Sequence, residues 1–377
     1  MIRSNYLASL RDVAPFWVSL LLIPLMIAVS QWGGWSILLV LAATWWLFPL
    51  LDQVFGRDPT NPDEDARLRS LFWYRAITLI WAPLQFGLVF GLIAYLATNP
   101  AHLTLAEKFG LAASLGVVTG MIGINYSHEL MHRPTRLERG LADILLAMTL
   151  YSHFKTEHLL VHHIHVATPR DPASARYNEG FHRFFPRVLI QSFKSAWRAE
   201  AQRLEKRRLA LWHRSNPFWR YGGLQAGMMG LALAIGGKWG LAFFAVQAFV
   251  AVFHLEITNY IEHYGLTRAY KGAGKYEHVK PRHSWNADHR ATNWLLINLQ
   301  RHSDHHYRPD RAYPLLQTYD HNAAPQLPYG YPVVGILALC PPVWRRVMNP
   351  KVRAWRKQHY PQVKDWTPYS KGLLQTE

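Results

Sequence analysis

A single cysteine, Cys340, stands in a chain of 377 residues. That excludes an internal disulfide, a CxxC zinc site and a cysteine-ligated iron–sulfur cluster, all of which need more than one thiolate. Any metal bound here must be held by histidine and carboxylate. Acidic side chains are scarce too, 24 Asp and Glu against 41 Lys and Arg, which leaves a formal charge of +17. Such a surplus can neutralise nucleic-acid phosphates. Here the basic residues fall between hydrophobic spans, as the positive-inside rule for membrane proteins requires, and no nucleic-acid-binding motif accompanies them. No nucleic-acid partner is expected.

Apolar residues make up half of the chain and come in long blocks. The blocks predict an all-α integral membrane protein with six transmembrane helices, at about 16–29, 35–51, 73–97, 109–126, 221–235 and 241–260. The basic N-terminus resembles a signal peptide, but further spans follow it without a clear cleavage site. Pro83 interrupts the third span as a tolerated kink, and the Gly- and Ala-rich fourth span suits close helix packing. Gly140 to Leu150 and Val333 to Cys340 are apolar but too short to cross. The 52–70 stretch reads as a polar loop, and Arg176 to Arg220, with RLEKRR at 203–208, is strongly basic. With a cytoplasmic N-terminus, the far-side turns QWGG, 99–108 and GGKWG carry only Lys108 and Lys238. The charge rule is thereby met for a bacterial inner-membrane protein of one domain, residues 1–377, with cytoplasmic segments 127–220 and 261–377.

Nine histidines lie in four places at the cytoplasmic span ends: His128 and His132 in HELMH, His158, His162 and His163 in HLLVHH, His263 in NYIEHYG, and His302, His305 and His306 in RHSDHH. On a helix, residues four apart share a face, so His128 with His132, His158 with His162 and His302 with His306 can each reach one ion. His163 is turned by about 100° from His162, so adjacent histidines can serve different metals. HExxH alone reads as a zinc protease, yet that fold needs one further ligand and this chain offers seven more histidines. Nine neutral imidazoles exceed what one ion uses, which predicts two ions with open positions. Iron fits best, because open ferrous positions bind oxygen and a membrane site meets lipophilic substrates. Glu129, Glu157, Glu262 and Asp304 adjoin cluster histidines and are assigned to orienting imidazoles, with Glu129 or Glu262 open as direct ligands. Asn259, one turn before His263, could reach a metal through water. His153, His165, His254, His278, His283 and His289 read as hydrogen-bonding neighbours or surface residues.

HELMH, EHLLVHHIHVATPRDPASAR, NYIEHYGLTR and LQRHSDHH closely resemble the membrane-bound alkane 1-monooxygenases, the integral-membrane di-iron alkane hydroxylases of bacteria. The likeness runs from roughly Leu50 to Lys351 and includes YEHVKPRHSWNADH at Tyr276 to His289, which the wider desaturase superfamily would not supply. It implies a six-helix bundle with a cytoplasmic His-rich cap, two non-heme irons on the nine histidines, O2 as co-substrate, terminal hydroxylation of alkanes, and electrons from rubredoxin and its reductase. The chain departs from the family at Met131 and Arg133, where Gly and Lys are common, and in the LLV spacer before His162. A bulky residue on the second span limits chain length in the family, which points to Trp45 or Trp46 as channel residues. An aromatic-methyl oxygenase of the xylene monooxygenase kind is the near alternative. An acyl desaturase, a zinc protease and a metal transporter are more distant ones.

Overall fold

The computed structural model describes residue 10, residues 12–63 and residues 71–371. The basic residues at 3 and 11, and the 64–70 part of the polar loop, lie outside the described residues. The chain is mostly helical, with one two-stranded hairpin of β1 (Tyr270–Gly272) and β2 (Lys275–Tyr276). Among the described residues five helices are long and apolar enough to cross a membrane: α1 (Ala14–Trp32), α2 (Gly34–Phe55), α3 (Phe72–Thr98), α4 (Leu105–Met131) and α8 (Pro217–His263). Between α4 and α8 come α5 (Arg136–Met148), the helical segment α6 (154–165) and α7 (Phe181–Lys206). After α8 follow α9 (Arg290–Leu295), α10 (His302–Tyr307), α11 (Tyr331–Ala338), α12 (Pro341–His359) and α13 (Thr367–Lys371).

The two spans predicted at 221–235 and 241–260 form one helical run, α8, interrupted at Gly237, whose φ of 58° and ψ of −153° are not helical. Straight, 47 residues would extend about 70 Å at 1.5 Å each. The chain doubles back instead. A Cβ on Gly240 would lie 2.5 Å from the carbonyl oxygen of Ala232. Both ends of α8 also reach α6, Tyr221 Oη lying 3.0 Å from Thr156 Oγ1 and the His263 ring 4.7 Å from that of His162. Glycine is needed at 237 because this conformation strains any residue with a Cβ.

Close packing of α4 on α8 follows from glycines at four-residue spacing. A Cβ on Gly116 would sit 2.6 Å from the Gln247 carbonyl oxygen, and one on Gly120 2.7 Å from that of Ala251. Backbones approaching this closely gain dispersion contacts, the main attraction between helices in lipid. Polar side chains inside the bundle pair with each other, as they must without water: Thr119 donates to Gln247 Oε1 at 2.9 Å, and Trp81 to Gln85 Oε1 at 2.8 Å. At the turn end of the bundle, Thr104 and Glu107 form a reciprocal cap on α4, and Glu107 also accepts the Gly34 amide. At the opposite end, Asp52 of α2 accepts from the amide and hydroxyl of Thr292, which moors the α9–α10 segment to the bundle. The apolar 333–340 stretch begins in the short helix α11, with Val334 fully buried, and runs two residues past its end without spanning.

Candidate metal centre

All nine histidines singled out by spacing come together at one end of the bundle, from α4 and the residue after it, α6, the last turn of α8, and α10. They form two adjacent groups. In the first, His128 Nε2 is 2.9 Å from His305 Nε2, His158 Nε2 is 3.1 Å from His132 Nε2, and His163 Nε2 is 2.9 Å from His158 and 3.1 Å from His305. In the second, His162 and His306 are 3.2 Å apart, His302 and His263 3.1 Å, and His306 and His302 3.0 Å, all between Nε2 atoms. Two nitrogens each about 2.1 Å from one ion at right angles would stand about 3.0 Å apart. A neutral imidazole has one N–H, so mutual hydrogen bonding cannot satisfy so many converging Nε2 atoms. The donor set therefore fits metal ions.

Helix geometry decides which histidine joins which group. His128 and His132 share a group, as do His302 and His306, as α-helical spacing predicts. His158 and His162 do not. The 158–162 stretch is π-helical, with wider turns closed by i→i+5 hydrogen bonds, so His158 pairs with His163 and His162 turns to the second group. Two more π turns flank the site, Thr119–Ile124 before HELMH and Ala43–Leu47 around Trp45.

Burial first, and neighbouring imidazoles second, push His158, His163, His302, His305 and His306 well below the ordinary imidazole range; His132 moves the same way. They stay neutral near pH 7, with lone pairs free for a cation. His162 is oriented by Asp171, whose Oδ2 is 2.9 Å from His162 Nδ1. Burial alone would raise the Asp171 carboxyl, but the neighbouring His162 ring and hydrogen bonds with His162 and Ser174 hold it at about 2. Sequence reasoning missed Asp171. The signal was the D-P-A-S turn, in which Asp171 accepts from the Ala173 amide and the Ser174 hydroxyl.

The carboxylates assigned to imidazoles mostly have other partners. Glu129 pairs with Arg133 at 3.3 Å and accepts from the Tyr313 amide, so the HExxH glutamate is drawn away from the histidines by a residue of the same helical face. Asp304 is taken by Arg311, Tyr319 and the Gln317 amide. Glu157 Oε1 meets no donor among the described residues, and burial holds its carboxyl well above the usual range. Asn259 donates to Glu256 at 3.1 Å. Glu262 alone of the four carboxylates touches an imidazole, Oε2 lying 3.2 Å from His302 Nε2.

A largely apolar cavity runs from His128, His158, His302 and Glu262 between α2, α4, α8 and α11. Met121, Ile124, Ile257 and Leu299 are among its walls, and Trp45 lies at it, edge-on to His254 at 5.3 Å. Trp46 faces outward, 64% exposed, and does not line it. His254, read from sequence as a neighbour, is a cavity residue held by the Val250 carbonyl. His283 is a hydrogen-bonding neighbour, between Glu277 and Tyr360.

Residues 108–337 match the fatty acid desaturase family. The chain is 39% identical over 353 residues to alkane 1-monooxygenase 2 of Pseudomonas aeruginosa, covering 90% of this chain and 92% of that protein. It is 42% identical to alkane 1-monooxygenase 1 of the same organism, over 85% of this chain and 84% of the other. A xylene/toluene monooxygenase hydroxylase component of Pseudomonas putida is 28% identical over 90% of this chain and 89% of its own.

Proposed function

The chain belongs to the fatty acid desaturase family and, within it, to the membrane-bound alkane 1-monooxygenases, and from that premise we propose that it hydroxylates the terminal methyl group of alkanes. The observation that carries this is the convergence of nine histidines in two groups at the mouth of an apolar cavity that opens within a membrane bundle. His128, His132, His158, His163 and His305 would hold one iron, and His162, His263, His302 and His306 the other. Iron bound there supplies activation of O2, so that one oxygen atom enters the alcohol and the other leaves as water with two electrons and two protons from outside.

The protein's own part is to bind, orient and exclude. Apolar walls take the hydrocarbon from the bilayer and leave water behind, and the length from Trp45 to His128 and His302 sets how far a chain must extend for its methyl to reach the imidazoles. The buried histidines stay neutral and available, and Asp171 fixes the ring of His162. The family resemblance implies rubredoxin and its reductase as the source of electrons; a single cysteine fits that need for an outside donor, and the surplus of basic residues favours a small acidic carrier.

The break at Gly237 supports reading α8 as two crossings, six in all, in a bacterial inner membrane. Even parity and the sparse basic charge of the turns QWGG, 99–108 and GGKWG support a cytoplasmic histidine cap. Cells expressing the protein with rubredoxin and its reductase are expected to convert a medium-chain alkane to the 1-alcohol. No alcohol from any chain length, despite full iron loading, overturns the reading. The resemblance to the xylene/toluene component favours one second reading, oxidation of aromatic methyl groups. A panel of alkanes and methylbenzenes separates the two, and an alkene as product would indicate desaturation instead.

A further inference from the structure

The two histidine groups are unequal, five imidazoles against four, and one carboxylate lies where a fifth donor of the smaller group would be. Glu262 Oε2 is 3.2 Å from His302 Nε2. That same nitrogen faces His263 Nε2 at 3.1 Å and His306 Nε2 at 3.0 Å. The carboxylate oxygen is thus on the side of His302 where the donor atoms converge, at the separation neighbouring ligands of one ion adopt. It does not sit on the outer Nδ1 side, where orienting carboxylates such as Asp171 act.

Charge points the same way. Glu262 is 1% exposed. Among the described residues no lysine or arginine pairs with it, and its other oxygen accepts only the Tyr331 hydroxyl, at 2.8 Å. A buried carboxylate in that setting needs a cation beside it or must give up its charge. Its rivals are committed elsewhere: Glu129 to Arg133, Asp304 to Arg311, and Glu256 to Tyr151 and Asn259. Glu157 lacks a donor on Oε1 but, among the described residues, touches no imidazole nitrogen.

We propose that Glu262 is a direct ligand of the metal held by His162, His263, His302 and His306, so that each ion has five protein donors, five nitrogens at one and four nitrogens with one oxygen at the other. Tyr331 fixes the second carboxylate oxygen and so sets which oxygen faces the ion. Mixed imidazole and carboxylate donors suit non-heme ferrous iron. Glu262 also lines the cavity, so the substrate meets the carboxylate-bearing ion on that side. The inference rests on the di-iron reading above.

The test is iron content and Mössbauer spectroscopy of full-length protein loaded with 57Fe, independent of turnover. The wild type should hold two ferrous irons with distinct quadrupole doublets. Glu262→Ala should change one doublet, leave the other in place, and lower the affinity for one iron by at least about tenfold, the lower end of what even outer partners of a metal ligand contribute. Glu262→Gln, which preserves volume and the Tyr331 contact, should change the same doublet and decides the matter if the alanine variant does not fold. Tyr331→Phe should keep both irons. Two irons with both doublets unchanged in the Glu262 variants would overturn the inference while leaving the di-iron reading intact. A wild type that binds no iron would overturn both.

Discussion

Asp171 shows how one side chain outside the nine histidines can govern the centre. Its carboxylate fixes the ring of His162, and carboxylates in this position contribute about 10- to 100-fold to metal affinity. Asp171→Asn is therefore expected to weaken iron binding by about that factor while the protein still folds, which iron titration of the purified variant would measure. Trp45 and Trp46 are adjacent in sequence and opposite in role. Trp45→Ala should lengthen the cavity and admit longer alkanes, whereas Trp46→Ala, at an outward-facing position, should leave the chain-length profile unchanged. An identical shift from both variants would remove Trp45 from the cavity floor. The buried imidazoles also set a pH limit. The folded-state pKa of His132, His158, His163, His302, His305 and His306 lies below the unfolded value of about 6.5, so the stability and metal affinity they carry are complete above that value and are lost as pH falls below it. Iron release followed from pH 7.5 down to 5 should accelerate below about 6.5.

At the scale of elements, register is the deciding variable. The α4–α8 crossing depends on Gly116 and Gly120, and a Cβ at either would meet backbone at under 3 Å. Gly120→Leu should cost about 1–3 kcal/mol or more through overpacking, read as a lower thermal midpoint in detergent, while Gly91→Leu, with open space around its Cβ position, should not. Much of this was legible in the sequence. The apolar blocks gave the long helices, the small residues of the fourth block announced a close crossing, and the HxxxH spacing marked His128 with His132 and His302 with His306. The π turn at His158–His162 was not legible. One extra residue in a turn has no composition signature, and the assumption of α-helical spacing therefore paired His158 with His162 instead of His163. Nor was the capture of Glu129 by Arg133 visible, although both residues were, because adjacency to His128 assigned Glu129 to orienting imidazoles or to the metal itself. Asp304 was misread for a similar reason: adjacency to His305 in sequence gave it a role that its contacts with Arg311 and Tyr319 replace.

Across the whole molecule, a surplus of basic residues accompanies a buried histidine cluster suited to metal at the end of an apolar bundle. The 41 basic against 24 acidic residues would attract the proposed acidic electron carrier from a distance, an effect that salt screens beyond about 8 Å at physiological ionic strength. The rubredoxin-dependent rate at low carrier concentration is expected to fall as salt rises from 20 to 500 mM, with little change at saturating carrier. A rate indifferent to salt at both concentrations would argue for docking through apolar contacts. The most direct measurement of the proposed reaction is mass spectrometry of the product formed by the iron-loaded protein from a medium-chain alkane under 18O2, with rubredoxin and its reductase supplying electrons. The expected product is the 1-alkanol carrying one 18O atom. An alkene, or an alcohol whose oxygen comes from water, would contradict it.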